Sequence, residues 1–99
     1  PGGNVESWRA SGNEPGWLLA VGPEVVVLKR LGQPDANVPP TPIVREGGVV
    51  RFEAQTEAAR LKARFENKVC NDTMADAVFG WTATVEINGQ TLKGCAWQR

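Results

Sequence analysis

The chain has 99 residues, 41% of them hydrophobic, and its 11 basic and 11 acidic residues leave no net charge. One domain spanning residues 1–99 is expected at this length, and the lack of a basic excess argues against a protein that binds nucleic acid or an anionic membrane surface. Histidine is absent, which removes the commonest general base and the commonest metal ligand.

The first part of the chain predicts a loose lead-in and three strands. Residues 1–4 form the lead-in, and a start at Pro1 without Met is expected of a trimmed product from which a leader could have been removed. Residues 5–10 predict a strand, which is followed by turn-forming residues. The apolar residues 17–21 and residues 24–30, which hold four consecutive β-formers between charged ends, predict a hairpin, because only a short Gly-Pro turn separates them.

The middle of the chain is interrupted by proline and then becomes ambiguous. Residues 32–42 contain four prolines and predict a long loop or an edge segment. Short strands are expected at 43–45 and 49–54. Residues 57–67 fit two patterns, since their composition and apolar spacing suit a helix, whereas Leu61, Ala63 and Phe65 also alternate with charged residues. The matching alternation of Val50 and Phe52 across a polar connection favours a second strand that forms a hairpin with the first.

The last third of the chain predicts a helical turn and a hairpin. Asn71 or Asp72 could cap one helical turn after Cys70. Residues 81–87 alternate as a strand, and residues 90–95 return as its partner after Asn88-Gly89, a dipeptide typical of a type I′ turn. The sequence therefore predicts a mainly β protein, with about seven short strands in a small antiparallel barrel or a strongly curled sheet.

The two cysteines, Cys70 and Cys95, both fall at ends of predicted strands. A bridge between them would stabilise a small domain by about 3 kcal/mol according to chain-entropy reasoning, and it would indicate an exported compartment. The alternative is a pair of buried, unpaired thiols in a cytosolic protein. A catalytic cysteine is not expected, because no histidine is present to act as its base.

Two polar segments are candidates for a binding site. Asn13 and Glu14 could form a polar rim beside Trp17, although a tight turn with Trp17 in the core explains the same residues. Asp72 and Asp76 could coordinate a divalent cation, but calcium-binding loops need more oxygen ligands and a glycine at the turn. The sequence thus predicts no catalytic residue, no metal and no cofactor.

Four tryptophans are available to fill the core or to anchor an interface. Trp17 and Trp81 lie within predicted strands and are expected in the core. Trp8 and Trp97 lie near the chain ends and are expected to be more exposed.

Three sequence blocks together resemble an uncharacterised family of lipoproteins from Gram-negative bacteria. They cover residues 9–17 (RASGNEPGW), 70–74 (CNDTM) and 88–96 (NGQTLKGCA), and they are similar to the family patterns R-A-x-G-N-E-P-x-W, C-x-D-x-M-S and G-x-x-x-x-G-C. Two positions depart from those patterns, since Ala75 stands where Ser is usual and Lys93 where Arg is common. The resemblance implies export through a lipid-modified leader, with the domain facing the periplasm, and it implies no activity.

The leading hypothesis is a non-enzymatic binding module of a periplasmic lipoprotein, which contacts an envelope protein or a small ligand and is attached to the membrane only through a lipid anchor outside this chain. A specific version is an inhibitor of a hydrolase such as lysozyme, with Asp72 and Asp76 entering the enzyme's cleft. A hydrolase that uses Glu14 and Asp72 as paired carboxylates is the alternative from a different class. A purely structural envelope protein is a third.

Overall fold

The computed structural model describes residues 7–13, 16–39, 42–72 and 76–99. Nine strands form one antiparallel sheet in the order β4-β3-β2-β1-β11-β10-β7-β6-β5, which curls into a half-barrel, and two more form a small separate sheet. The strands of the large sheet are β1 Trp8–Asn13, β2 Gly16–Val21, β3 Val26–Arg30, β4 Ala36–Val38, β5 Val44–Glu46, β6 Val49–Gln55, β7 Arg60–Glu66, β10 Trp81–Ile87 and β11 Gln90–Gln98. The small sheet pairs β8 Cys70–Asp72 with β9 Ala77–Phe79.

The predicted strongly curled antiparallel sheet is confirmed, but the predicted number of about seven strands is wrong. The described residues form eleven strands, and four of them, β4, β5, β8 and β9, have only three residues each. The short strand expected at 43–45 corresponds to β5, whereas β8 and β9 were not predicted, because segments this short carry too little alternation. The proline-rich segment supplies β4 as an edge strand, in agreement with the edge interpretation.

The helical turn predicted after Cys70 is not found in the described residues, where no helix occurs. Residues 70–72 are a strand whose partner is β9, while residues 73–75 of the predicted turn lie outside the described residues. A capping side chain contributes about 1 kcal/mol to a helix. We attribute the outcome to pairing with β9 and to the contacts of both strands with β11, which outweigh that local preference.

The ambiguous segment 57–67 contains strand β7, which confirms the favoured interpretation. Leu61, Ala63 and Phe65 are buried and alternate with exposed Lys62 and Arg64. β7 lies between β6 and β10 and pairs with both. Helix propensity is a weak preference that tertiary context overrides, and here one apolar face of the strand completes the core between two neighbours.

The apolar side chains of the strands pack together inside the half-barrel, and three aromatic rings contact one another within this core. Trp8 is fully buried, with ring centroids 5.0 Å from those of both Phe65 and Trp81, so the prediction that Trp8 is exposed is wrong. β1 is a central strand, paired with β2 on one side and with the C-terminal strand β11 on the other. Nearness to a chain end therefore does not place this residue at the surface.

Two glycines allow β1 and β11 to approach closely. A Cβ atom on Gly94 would overlap the carbonyl oxygen of Ser11 and lie 2.9 Å from the Cα of Gly12. A Cβ atom on Gly12 would overlap the indole nitrogen of Trp17 and the carbonyl oxygen of Lys93. Trp17 lies directly opposite Gly12 in the sheet and donates its indole N–H to that Lys93 oxygen over 3.2 Å. The absent side chains thus leave room for the indole ring and for a close backbone contact.

The Asn88-Gly89 turn has the predicted left-handed backbone, with φ of 47° and 88°, and Ile87 pairs with Gln90 across it. Asn88 also joins this turn to the start of β7. Its Oδ1 accepts the N–H of Arg60 over 2.8 Å, and its own N–H donates to the Arg60 carbonyl over 3.0 Å.

We expect Asn88→Ala to lower the free energy of unfolding by about 1–2 kcal/mol, because alanine loses the hydrogen bond to Arg60 and disfavours the left-handed backbone. Asn88→Gly is the matched control, since glycine accepts this backbone and loses only the side chain. Urea unfolding should rank the proteins wild type, Asn88→Gly, Asn88→Ala in decreasing stability. Equal stability of Asn88→Ala and wild type would contradict the role assigned to this turn.

Candidate functional site

The β8–β9 hairpin lies on the outer face of the sheet and is joined covalently to it. On β11, Leu92 and Ala96 are buried in the core, and alternation along the strand directs Cys95 to the opposite face. Cys95 forms a disulfide with Cys70, the first residue of β8, with a Cα–Cα distance of 5.5 Å. The predicted bridge is therefore confirmed, and the alternative of two unpaired thiols is wrong.

A ring stack holds the other strand of the hairpin. Phe79 in β9 stacks on Trp97 in β11 with a centroid distance of 4.9 Å and an interplanar angle of 24°. Trp97 is partly buried by this contact, so it is less available as an exposed anchor than the sequence suggested. One covalent and one aromatic contact thus fix the hairpin on β11.

A small polar cleft forms where the hairpin meets the large sheet. It has a volume of about 140 Å³ and is lined by residues 11–13 of β1, 70–72 of β8 and 93–95 of β11. Asn13 Nδ2 donates to Asp72 Oδ1 over 2.8 Å across this cleft. The lining therefore combines hydroxyl and amide groups with one carboxylate, Asp72, and one ammonium group, Lys93.

The three sequence blocks that carry the family resemblance meet at this cleft. The first supplies Asn13, the second supplies Cys70 and Asp72, and the third supplies Gly94 and Cys95. Much of this pattern has a structural explanation, because Gly94 allows the close strand approach and the cysteines form the bridge. Asn13 and Asp72 differ from these residues, since they place polar groups at the surface of the cleft.

The structure brings together some of the predicted site residues and separates others. Asn13 and Asp72 are in contact. Trp17 is only 5% exposed and lies in the core, in agreement with the core interpretation of this residue. Asp76 is an exposed turn residue directly before β9, with φ of 51°, and Glu14 lies outside the described residues.

Sequence reasoning missed three contributions to the cleft: the hydroxyl residue Ser11, the amide of Asn71 and the ammonium group of Lys93. The outward direction of Lys93 could have been inferred from the Asn88-Gly89 turn. This turn fixes the register of β10 against β11 and pairs Lys93 with Thr84, so alternation from the buried Leu92 directs Lys93 outwards. No comparable local signal marks Ser11 or Asn71.

The described ranges were also compared with the side-chain groups that hold metal ions and with membrane-spanning helices. No group of three or more His, Cys, Asp or Glu side chains is placed there to hold a metal ion. None of those residues forms a helix with the length and apolar character needed to cross a membrane. Comparison of the chain with protein-family models, curated proteins and solved structures gives no match.

Proposed function

We propose that this chain is a non-enzymatic binding module of an exported bacterial lipoprotein, and that it contacts its partner through the β8–β9 hairpin and the cleft beside it. The observation that carries the proposal is the contact of Asn13 with Asp72 beside a hairpin that is fixed by a disulfide. A fixed hairpin suits binding, since less conformational freedom is lost when a partner docks.

The compartment is proposed on separate grounds. A structural disulfide is typical of proteins in oxidising compartments, such as the bacterial periplasm, and the family resemblance implies the same location. A lipid anchor outside this chain would hold the module at the membrane without any insertion by the module itself.

The specific form that we propose is inhibition of an envelope-directed hydrolase such as lysozyme. Asp72 is the last residue of β8 and Asp76 directly precedes β9, so two acidic residues flank the turn of the hairpin while the whole chain is neutral. Such local charge favours a partner whose cleft is rimmed by basic residues, because complementary potentials accelerate association and fix its orientation.

We expect the wild-type chain to slow the clearing of a cell-wall suspension by lysozyme in a saturable manner. Asp72→Asn combined with Asp76→Asn should weaken inhibition by at least about tenfold, since removing a charge from an interfacial pair costs about 2–5 kcal/mol. Asp35→Asn is the matched control, because Asp35 is an exposed aspartate in a different loop whose ion pair with Lys29 is long, at 3.9 Å. This control should inhibit like the wild type.

Two outcomes would contradict the proposal in different ways. Absence of inhibition at a large molar excess of the folded chain would rule out the lysozyme version. Clearing of the suspension by the chain alone, lost in Asp72→Asn, would instead support the carboxylate hydrolase.

A further inference from the structure

A second cavity lies at one end of the half-barrel, away from the hairpin. Its volume is about 280 Å³, and it is enclosed by the β3–β4 loop, strand β4, the β6–β7 turn and the β10–β11 turn. β4 is an edge strand of the sheet, so this cavity opens at the side where the half-barrel is not closed by strand pairing. The mouth of a β-barrel is a frequent position for small-molecule sites.

Arg30, the last residue of β3, lies on the core-facing side of that strand at this end of the half-barrel. Val26 and Leu28 are 1% and 0% exposed, and alternation along the strand places Arg30 on the same inner face. Arg30 is partly buried and lines the cavity. Its Nη1 donates to Gln90 Oε1 over 3.2 Å, whereas its Nε is buried and has no hydrogen-bond partner among the described residues.

The positive charge of Arg30 is not balanced by an ion pair within the described residues. Asp35, the acidic residue that lines the cavity, is instead within 3.9 Å of Lys29. A guanidinium group stays protonated in proteins, so it cannot escape the cost of partial burial by losing its charge. A guanidinium group that lines a cavity and has no ion-pair partner among the described residues is therefore a position at which an anionic partner would be stabilising.

We propose that this cavity binds a small carboxylic acid with an apolar body, and that Arg30 holds the carboxylate. A guanidinium group donates charge-assisted hydrogen bonds to a carboxylate. Because Nη1 is engaged by Gln90 and Nε is buried, Nη2 is the nitrogen left for the ligand. Pro34, Ala36, Ala58 and Ala59 give the cavity apolar walls that suit the rest of such a ligand. This proposal is independent of the hairpin, because it concerns the inner face of the sheet at the barrel mouth.

Benzoate is a suitable probe, and its binding can be followed by NMR on the ¹⁵N-labelled wild-type chain with its disulfide intact. Titration should shift the Arg30 Nε–Hε resonance and the amides of Ala58 and Ala59 saturably, with a dissociation constant in the millimolar range or tighter. Sodium chloride and sodium phosphate at equal ionic strength should produce no saturable shift. Absence of a saturable shift with benzoate, or an equal response to phosphate, would overturn the assignment.

Arginine variants test the residue itself. Arg30→Gln should weaken benzoate binding by at least about tenfold, and Arg30→Lys should fall between Arg30→Gln and wild type, because it keeps the charge but loses the forked geometry. Lys68→Gln is the matched control, since Lys68 is an exposed cation that does not line the cavity and should bind like the wild type. Unchanged binding in folded Arg30→Gln would overturn the proposal, and the wild-type titration decides it alone if that variant does not fold.

Discussion

Gly94→Ala is expected to lower the free energy of unfolding by about 3 kcal/mol, at the upper end of the cost of overpacking. The added methyl group would overlap the Ser11 carbonyl oxygen and approach the Cα of Gly12 to 2.9 Å. All of these neighbours are backbone atoms of β1, so no side chain can rotate away to make room. Relief requires that β1 and β11 separate, which weakens a pairing at the centre of the nine-stranded sheet.

The matched control for this substitution is Gly80→Ala. A Cβ atom on Gly80 meets nothing within 4 Å, so its effect should stay within about 0.5 kcal/mol. Urea unfolding of both variants with the disulfide intact gives the comparison, and tryptophan fluorescence provides the signal. If Gly94→Ala proved as stable as Gly80→Ala, the close approach of β1 and β11 would have to be rejected.

Elements with long alternation were predictable from the sequence because one face of each is buried. β6, β7 and β10 each have seven residues and show the pattern of a half-buried strand. The Asn88-Gly89 turn was equally clear, since few dipeptides adopt two successive left-handed conformations at low cost. Three-residue strands such as β8 lack this information, and contacts distant in the sequence determine them.

It was harder to predict which face of the sheet a side chain lies on where apolar residues are consecutive. Residues 25–28 are all β-forming, so this run does not reveal which of its positions face the core. The inward position of Arg30 depends on that choice and could not be derived. The prediction for Trp8 failed for a different reason, because nearness to the chain end does not reveal that β1 lies between β2 and β11.

The candidate site could be predicted only as separate residues. Asn13 and Asp72 were each identified as polar groups near turns, yet 59 positions separate them. Their contact depends on how the hairpin lies on β11 and on the close approach at Gly94. Neither feature is a local property of the sequence, because both result from packing between strands that are distant along the chain.

Replacing both cysteines by alanine is the other change with a large expected effect, a loss of about 3 kcal/mol in the free energy of unfolding. The bridge closes a loop between residues 25 positions apart, and chain-entropy reasoning gives a cost of this size when it is removed. The large sheet should survive, since none of its core cluster comes from β8 or β9. The hairpin should lose its fixed position, because only non-covalent contacts then hold it, among them the stack of Phe79 on Trp97 and the Asn13–Asp72 hydrogen bond.

Hydrogen exchange separates these two consequences. In the Cys70→Ala/Cys95→Ala variant, protection should fall at residues 70–72 and 77–79 and persist in β7 and β10, because local opening needs less free energy than global unfolding. Phe79→Leu is the control that keeps the bridge and removes the ring stack, and it should retain most of the hairpin's protection. Thiol titration of the native wild-type protein, before and after denaturation, should find no free thiol in either state. Two thiols after denaturation would contradict the bridge, and full hairpin protection in the double variant would show that packing alone holds β8 and β9 on the sheet.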